Sequence, residues 1–196
     1  DPANNHVWRV RTDYATADLT TDAANYYSVG TGDVTATQIA TIKGQYEFDW
    51  MNWPAAWGAP YNDVDGNGSY DATIDIPGYP GADQTVWTVA NDVPLIVDAN
   101  GDSTGYLDTA PGLGGADAIG IELQITLWGY AFGASDPLGN VIFKKATMHY
   151  KGTPDTPDGA TMDDTYFALF SDPDLGNFTD DYVGCDVPLS FGYVYN

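Results

Sequence analysis

The stretch Ile121-Glu122-Leu123-Gln124-Ile125-Thr126-Leu127 is the part of the chain that decides the fold class. Apolar and polar residues alternate strictly along it, as in a β-strand with one face against a core and the other in water. We therefore predict a half-buried strand over 121–127. Other stretches bounded by Gly, Pro, Asn or Asp also predict strands. They are Val7–Arg11, Thr85–Asn91, Asn140–Tyr150, Thr165–Phe170 and Leu189–Tyr195.

One stretch has helical spacing instead. Thr35 and Gln38 fit a capping box, in which each side chain bonds the backbone N–H of the other residue. Apolar residues recur at helical spacing after them, so a helix is predicted over 36–51. Short strands, long Gly- and Asp-rich loops and one peripheral N-terminal helix favour a mainly-β fold. We expect an antiparallel β-sandwich of jelly-roll or immunoglobulin-like type, forming a single domain over residues 1–196.

The composition limits the classes of function. The chain has 196 residues, with 28 Asp plus Glu against six Lys plus Arg, and a formal net charge of -22. So acidic a chain excludes nucleic-acid binding, which needs a cationic surface. A hydrophobic content of 43% is enough for a buried core and argues against disorder. No window approaches the ~20 apolar residues of a membrane span, so no transmembrane segment is expected. The single cysteine, Cys185, is expected to be a small buried residue, with an intermolecular disulfide bridge as the alternative.

The acidic residues are almost all aspartates, because Glu47 and Glu122 are the only glutamates. Asp favours turns, and here it lies mostly beside Gly, Asn and Pro. Carboxylates concentrated in loops repel one another unless cations bind among them. A hard cation that takes about six to eight oxygen ligands suits such loops. We therefore predict Ca²⁺ as the cofactor, with two or more ions.

Residues 63–71 have the spacing of a calcium loop. The oxygen donors at alternate positions are Asp63, Asp65, Asn67, Ser69 through its backbone carbonyl, and Asp71. Gly68 stands where an EF-hand loop needs its sharp turn. Ile74 stands where that loop needs a bidentate Glu, and nearby prolines leave no room for flanking helices. We therefore predict a related site between strands, closed by Asp71.

Two further acidic segments have weaker ligand patterns. The residues concerned are Asp98, Asn100 and Asp102 in the first segment, and Asp172, Asp174, Asp180 and Asp181 in the second. In the first, Tyr106 occupies the closing position, so an ion site and a plain turn both stay open. In the second, an ion is favoured over a solvated acidic loop, because unneutralised carboxylates beside apolar residues are costly.

The sequence shows no catalytic constellation, so no catalytic residue is assigned and no enzyme is expected. The only histidines are His6 and His149, and no serine lies in a Gly-x-Ser-x-Gly turn. A glycosidase would need a specific pair of carboxylates, and Glu122 is the one acid that stands out. Trp50, Trp53 and Trp57 lie at helical spacing, which fits core packing or a sugar-stacking platform.

Several ordered blocks of sequence carry a resemblance. They include Gln45-Tyr46-Glu47, Trp53-Pro54, Gly58-Ala59-Pro60-Tyr61, Asp63-Val64-Asp65-Gly66-Asn67-Gly68, Gly120-Ile121-Glu122-Leu123-Gln124 and Ser171-Asp172-Pro173-Asp174. In these blocks the chain resembles a family of large bacterial secreted or cell-surface proteins that often carry a type IX secretion sorting domain. The resemblance implies an exported protein and carries over no catalytic residues. It matches family acidic motifs at the predicted ligands Asp63, Asp65, Asn67, Asp71, Asp172 and Asp174.

Three functions follow as hypotheses from these observations. The first is an exported, calcium-binding structural protein of the cell surface or extracellular space. It would self-associate into a homo-oligomer or homopolymer such as a filament, tube or surface layer. The second is a carbohydrate-binding module whose exposed tryptophans contact a glycan. The third is a glycan-active hydrolase or lyase.

Overall fold

The computed structural model describes residues 6–92, 95–97, 103–106, 118–132, 136–168, 174–177 and 179–196. The chain divides into two compact units, residues 1–160 and 161–196, and each is described by itself. Such a division does not decide how many domains the chain forms, so the single domain over 1–196 stays a prediction. No helix in the described part is both long and apolar enough to cross a membrane.

The described elements are mostly short strands. The strands are β1 (Trp8–Arg11), β2 (Tyr61–Asn62), β3 (Ile76–Pro77), β4 (Gln84–Asn91), β5 (Leu95–Val97), β6 (Ser103–Tyr106), β7 (Ile121–Gly129), β8 (Phe143–Tyr150), β9 (Tyr182–Asp186) and β10 (Phe191–Tyr195). The helices are α1 (Thr20–Tyr27) and α2 (Ala36–Met51), with short 3₁₀ helices at Thr31–Asp33, Ala55–Trp57 and Pro137–Asn140.

A four-stranded antiparallel sheet in the order β1-β4-β7-β8 is the main element of the first unit. The first unit also contains two two-stranded antiparallel sheets, β2 with β3 and β5 with β6. The second unit contains the antiparallel pair of β9 with β10. The mainly-β, antiparallel fold is therefore confirmed. Its finer description as a β-sandwich stays a prediction.

Most of the predicted strands are present. The alternating stretch 121–127 lies within β7, but the expected water-facing side is wrong, because the buried residues Gln124 and Thr126 belong to the polar face. The stretch 140–150 becomes a strand only from Phe143, because residues 137–140 form a 3₁₀ helix. The prediction over 165–170 is wrong for 165–168, where no strand forms, and 169–170 lie outside the described residues.

The structure corrects the number of helices. Helix α2 begins at Ala36 with the predicted capping box, in which Thr35 N donates to Gln38 Oε1 at 2.8 Å. A second helix, α1, was not expected from the sequence. It has eight residues and no side-chain N-cap, so its local signal is weak. It is held instead by packing, because Ala23 is fully buried in a cluster with residues of α2.

Two clusters form the core of the first unit. One contains Val10, Trp53, Ala59 and Trp87, and Trp87 is fully buried at the centre of the sheet. The other lies between the helices and contains Leu19, Ala23, Ile42 and Tyr46. Burial raises the pKa of Tyr46 to about 12, with a smaller contribution from the nearby Asp22 carboxylate. The Tyr46 hydroxyl therefore stays neutral and donates to Asp22 at 2.9 Å.

A buried carboxylate joins α2 to the first strand. Asp49 is 3% exposed and accepts from the backbone N–H of Arg9 at 2.8 Å and lies 2.7 Å from His6 Nε2. Asp49→Ala would leave the Arg9 N–H without its acceptor, so we expect the free energy of unfolding to fall by about 2–4 kcal/mol. Urea unfolding followed by tryptophan fluorescence measures the change.

The matched control for that variant is Glu47→Ala, which removes an exposed acid from the same helix. It is expected to change the free energy of unfolding by less than about 0.5 kcal/mol. An equal effect of the two substitutions would contradict the role given to Asp49.

Candidate metal centre

The predicted calcium loop lies between two short paired strands. Tyr61 pairs with Pro77 and Asn62 with Ile76, so β2 and β3 bring the two ends of the loop together. Within it, Gly66 and Gly68 have φ of 72° and 77°, a conformation that glycine adopts without strain. The loop can therefore turn back on itself, and acids from both of its ends can meet.

Three carboxylates meet there. Ligand oxygens of Asp63, Asp65 and Asp75 all lie within 4.8 Å of one another. Oxygens on opposite sides of one Ca²⁺ stand at most about 5 Å apart, because each Ca–O distance is about 2.3–2.6 Å. The separation therefore fits ligands of a single ion, and this cluster could hold a metal.

Asp63 is the fixed member of the cluster at the start of the loop. Its Oδ1 accepts from the backbone N–H groups of Gly66 at 2.8 Å and Asn67 at 3.1 Å, and its Oδ2 accepts from Gly68 N at 2.8 Å. The hydrogen bonds from these N–H groups, of which that from Gly68 has the largest effect, lower the pKa of the Asp63 carboxyl below its ordinary value. Asp63 is therefore ionised, and its position is set by the folded loop.

Asp75 is the member that the sequence analysis missed. It is 2% exposed, and its two oxygens accept from Val64 N at 2.9 Å and Asp71 N at 2.8 Å. The sequence did contain a signal, because Asp75 lies one position after Ile74, where an EF-hand loop has its closing Glu. A lone acid between two isoleucines, Ile74 and Ile76, is a further sign of a specific role.

The other predicted ligands of this loop have different partners. Asp71, predicted to close the site, lies outside the three-carboxylate group and accepts from Thr73 N and Oγ1 at 2.8 and 2.7 Å. The Thr73 contacts lower the pKa of Asp71. Asn67 donates from Nδ2 to Asp65 at 2.8 Å, and its Oδ1 accepts from Ser69 N at 2.7 Å. Asn67 and Ser69 therefore support the turn, and Asn67 also contacts a cluster member.

Aromatic residues anchor the loop to the core. The Tyr70 hydroxyl donates to the Trp50 carbonyl at 2.6 Å, and Trp50 Nε1 donates to the Ala72 carbonyl at 3.1 Å. Tyr61 packs edge-on against Tyr70, with ring centroids 5.5 Å apart. Burial, followed by the charges of Asp63, Asp75 and Asp65, raises the pKa of Tyr61. The three carboxylates thus create a local negative potential, in a loop that these aromatic contacts hold against the core.

The other two acidic segments do not add a second cluster within the described residues. Asp98, Asn100, Asp102 and Asp172 lie outside those residues, so their predicted role stays a prediction. Asp174 and Asp180 are exposed. Asp181 is half-buried, and its Oδ2 accepts from Leu175 N at 2.8 Å.

The three tryptophans at helical spacing would share one face only if the helix continued beyond its predicted end at residue 51. Helix α2 ends at Met51, so only Trp50 belongs to it. Trp53 is 4% exposed and its Nε1 donates to the Pro60 carbonyl at 2.8 Å, which is the core role that the spacing allowed. Trp57 is 62% exposed. The three side chains therefore have separate environments.

Comparison with protein-family models, with curated proteins and with solved structures gave no match. Function must therefore be inferred from the fold and the site. They define a mainly-β, antiparallel protein with a loop in which three acidic side chains could hold a metal ion. Two of those three acids, Asp63 and Asp65, were predicted as ligands from the sequence.

Proposed function

We propose that this chain is an exported, calcium-binding structural protein that self-associates in an extracellular or cell-surface assembly. The observation that carries the proposal is the convergence of Asp63 and Asp65 with the buried Asp75. Three carboxylates this close repel one another, and a divalent cation among them removes that repulsion. The proposal includes no catalytic step.

Calcium is favoured over other metals by the chemistry of the donors. All three are carboxylates, and hard oxygen donors suit Ca²⁺, Mg²⁺ or Mn²⁺ rather than zinc or copper. The loop also offers backbone carbonyls, which Ca²⁺ accepts in its flexible coordination shell. Calcium sites outside cells have dissociation constants of about 10⁻⁴–10⁻³ M, which match the extracellular ion. An extracellular location, which the family resemblance also implies, therefore suits this site.

The edge of the main sheet supports self-association. Strand β8 is eight residues long and pairs on one side with β7, and among the described residues no strand pairs with its other side. Unpaired backbone groups along a long edge strand are a template for a strand from another chain. Ile142, just before β8, is 78% exposed.

The hairpin of β9 and β10 supplies a strand suited to that edge. Four aromatic residues form a row on it, with neighbouring ring centroids 5.7–6.0 Å apart: Tyr182, Tyr195, Tyr193 and Phe191. All four are between 44% and 63% exposed. A lone two-stranded hairpin is marginally stable in water, so its pairing with another sheet would stabilise it.

Charge complementarity indicates a second copy of this chain as the partner. Lys144 and Lys145 lie on β8 and Lys151 follows it, so three of the six Lys and Arg residues cluster there. Residues 161–196 contain seven Asp and no Lys, Arg or His. Pairing between two different surfaces of identical chains gives a closed ring or an open polymer rather than a two-fold dimer.

Isothermal titration calorimetry tests the calcium part of the proposal. Titrating CaCl₂ into protein stripped of divalent ions is expected to give saturable binding with a dissociation constant of about 10⁻⁴–10⁻³ M. MgCl₂ is the comparison, and it is expected to bind more weakly because Mg²⁺ demands near-octahedral geometry. Absence of saturable calcium binding at millimolar concentration would refute the proposal.

A further inference from the structure

A cleft lies on the main sheet, next to the loop that follows helix α2. Its volume is about 610 Å³, within the usual range of small-molecule sites. The residues that matter for its chemistry are Trp57, Asn91, Glu122, Gln124, His149 and Lys151. The carboxylates of the metal cluster are not among its lining residues.

The floor of the cleft is a row of polar residues across three strands. Asn91 on β4 is directly opposite Glu122 on β7, and Glu122 is directly opposite His149 on β8. Directly opposed residues of an antiparallel sheet project from the same face, about 4.5–5.5 Å apart between Cβ atoms. An amide, a carboxylate and an imidazole therefore stand side by side.

A buried amide fixes both the floor and the wall. Gln124 is 8% exposed, and its Nε2 donates to Glu122 Oε1 at 3.0 Å and to the Trp57 carbonyl at 2.9 Å. Gly58 allows this close approach, since a Cβ there would stand 2.7 Å from Gln124 Oε1. Gln124 thus orients the carboxylate and ties the Trp57 loop to the sheet.

The wall of the cleft includes an aromatic residue left in contact with solvent. Trp57 is 62% exposed although the backbone around it is fixed by Gln124. Most of its large apolar surface therefore stays in contact with water and is available to a ligand.

We propose that this cleft binds a neutral saccharide unit of a glycan. A sugar ring has an apolar C–H face that packs on an aromatic ring, and hydroxyl groups that bond to carboxylate, amide and imidazole groups. A neutral sugar is favoured over an acidic one because the chain carries a formal charge of -22. Among the described lining residues, Lys151 is the one Lys or Arg, and its Nζ lies 3.5 Å from Glu122 Oε2.

Binding rather than hydrolysis is the role of this cleft. Glycoside hydrolysis generally uses two carboxyl groups about 5–10 Å apart. Among the described residues, Glu122 is the one acidic side chain that lines the cleft. The described lining therefore suits the binding of a sugar and does not include the second acid that hydrolysis requires.

Fluorescence titration of the full chain in CaCl₂ tests the proposal, with neutral gluco-, manno-, galacto- and xylo-oligosaccharides as probes. We expect saturable binding of at least one probe and a loss of about tenfold or more in its affinity in Trp57→Ala. The matched control is Tyr26→Ala, which removes another half-exposed aromatic side chain that lies outside the cleft. That control should bind like the wild type.

Glu122→Gln is the second variant, and Glu47→Gln is its control because these two residues are the only glutamates. Calorimetry is expected to show weaker binding by Glu122→Gln and unchanged binding by Glu47→Gln, with both variants folded by circular dichroism. The inference fails if no probe binds. It also fails if a probe binds equally to wild type and Trp57→Ala. Calcium titration of the same samples reports on the proposed function independently.

Discussion

Calcium at about 10 mM is expected to raise the melting temperature of the wild-type protein by about 3–11 °C. An ion present at about 10–100 times its dissociation constant stabilises the folded state that binds it by about 1.4–2.7 kcal/mol. For a protein of this size, each kcal/mol corresponds to about 2–4 °C. Differential scanning calorimetry with CaCl₂ and with excess chelator measures the shift.

Asp75→Asn is expected to remove that calcium response. The substitution removes the charge of the buried member of the cluster. The ion then has only two anionic ligands, Asp63 and Asp65, which are too few to hold it. It also lowers stability without calcium by about 1–3 kcal/mol. An Asn oxygen can replace one of the two acceptors of Asp75, but its NH₂ group then faces the N–H of Val64 or Asp71.

The matched control is Asp71→Asn, because Asp71 is the residue that the sequence predicted to close the site. It lies outside the three-carboxylate group, so its variant should keep most of the calcium-dependent rise. The reverse result, with the rise lost in Asp71→Asn and kept in Asp75→Asn, would show that the ligand set inferred from the structure is wrong.

The contrast between Asp71 and Asp75 shows where sequence reasoning reaches its limit. Asp63 and Asp65 could be predicted because their contribution depends on local spacing and on glycines that allow the turn. The contribution of Asp75 depends on the pairing of β2 with β3, which brings the far end of the loop back to its start. Such pairing is a tertiary event that the spacing of ligands does not encode.

The same distinction separates the strands that were predicted, β10 of the hairpin among them, from its partner strand β9, which was not. Alternation over 121–127 follows from the pleat of a single strand, so it could be found without its neighbours. Strand β9 contains Gly184, which weakens its local signal. The structure explains that glycine, since a Cβ there would stand 2.3 Å from Tyr193 Cζ on the opposite strand.

The outer surface of that hairpin also corrects an expectation. Cys185 was expected to be a small buried residue, but it is exposed. Its cross-strand partner is Gly192, which offers no side chain to cover it. Whether a small residue such as Cys185 is buried therefore depends on the side chain of its cross-strand partner. The sequence alone did not show that this partner is Gly192.

Tyr195→Lys is expected to raise the protein concentration needed for self-association by about tenfold or more, or to abolish self-association. Tyr195 is 50% exposed and stacks between Tyr182 and Tyr193 in the aromatic row of the hairpin. A lysine removes an aromatic contact and adds a positive charge opposite Lys144 and Lys145 of the next copy. Sedimentation velocity in CaCl₂ over a range of protein concentrations measures the change.

A substitution on the edge strand β8 provides the second test of self-association. Lys145→Glu should weaken self-association, because it makes β8 less positive where the acidic hairpin of the next copy would pair. Lys43→Glu makes the same change of charge on an exposed position of α2 and should leave self-association unchanged. Tyr166→Lys is the corresponding control for the hairpin, since Tyr166 is 91% exposed and lies outside β9 and β10.

A wild-type protein that stays monomeric at every concentration, with calcium bound, would disprove the polymer while leaving the calcium site intact. Equal weakening by Lys145→Glu and Lys43→Glu would instead show that association responds to net charge and not to the β8 edge. Only loss in both Tyr195→Lys and Lys145→Glu, with both controls unaffected, supports pairing of the hairpin with β8. Because those surfaces differ, each added copy leaves one of each free, and growth continues unless the rotation between successive copies closes a ring.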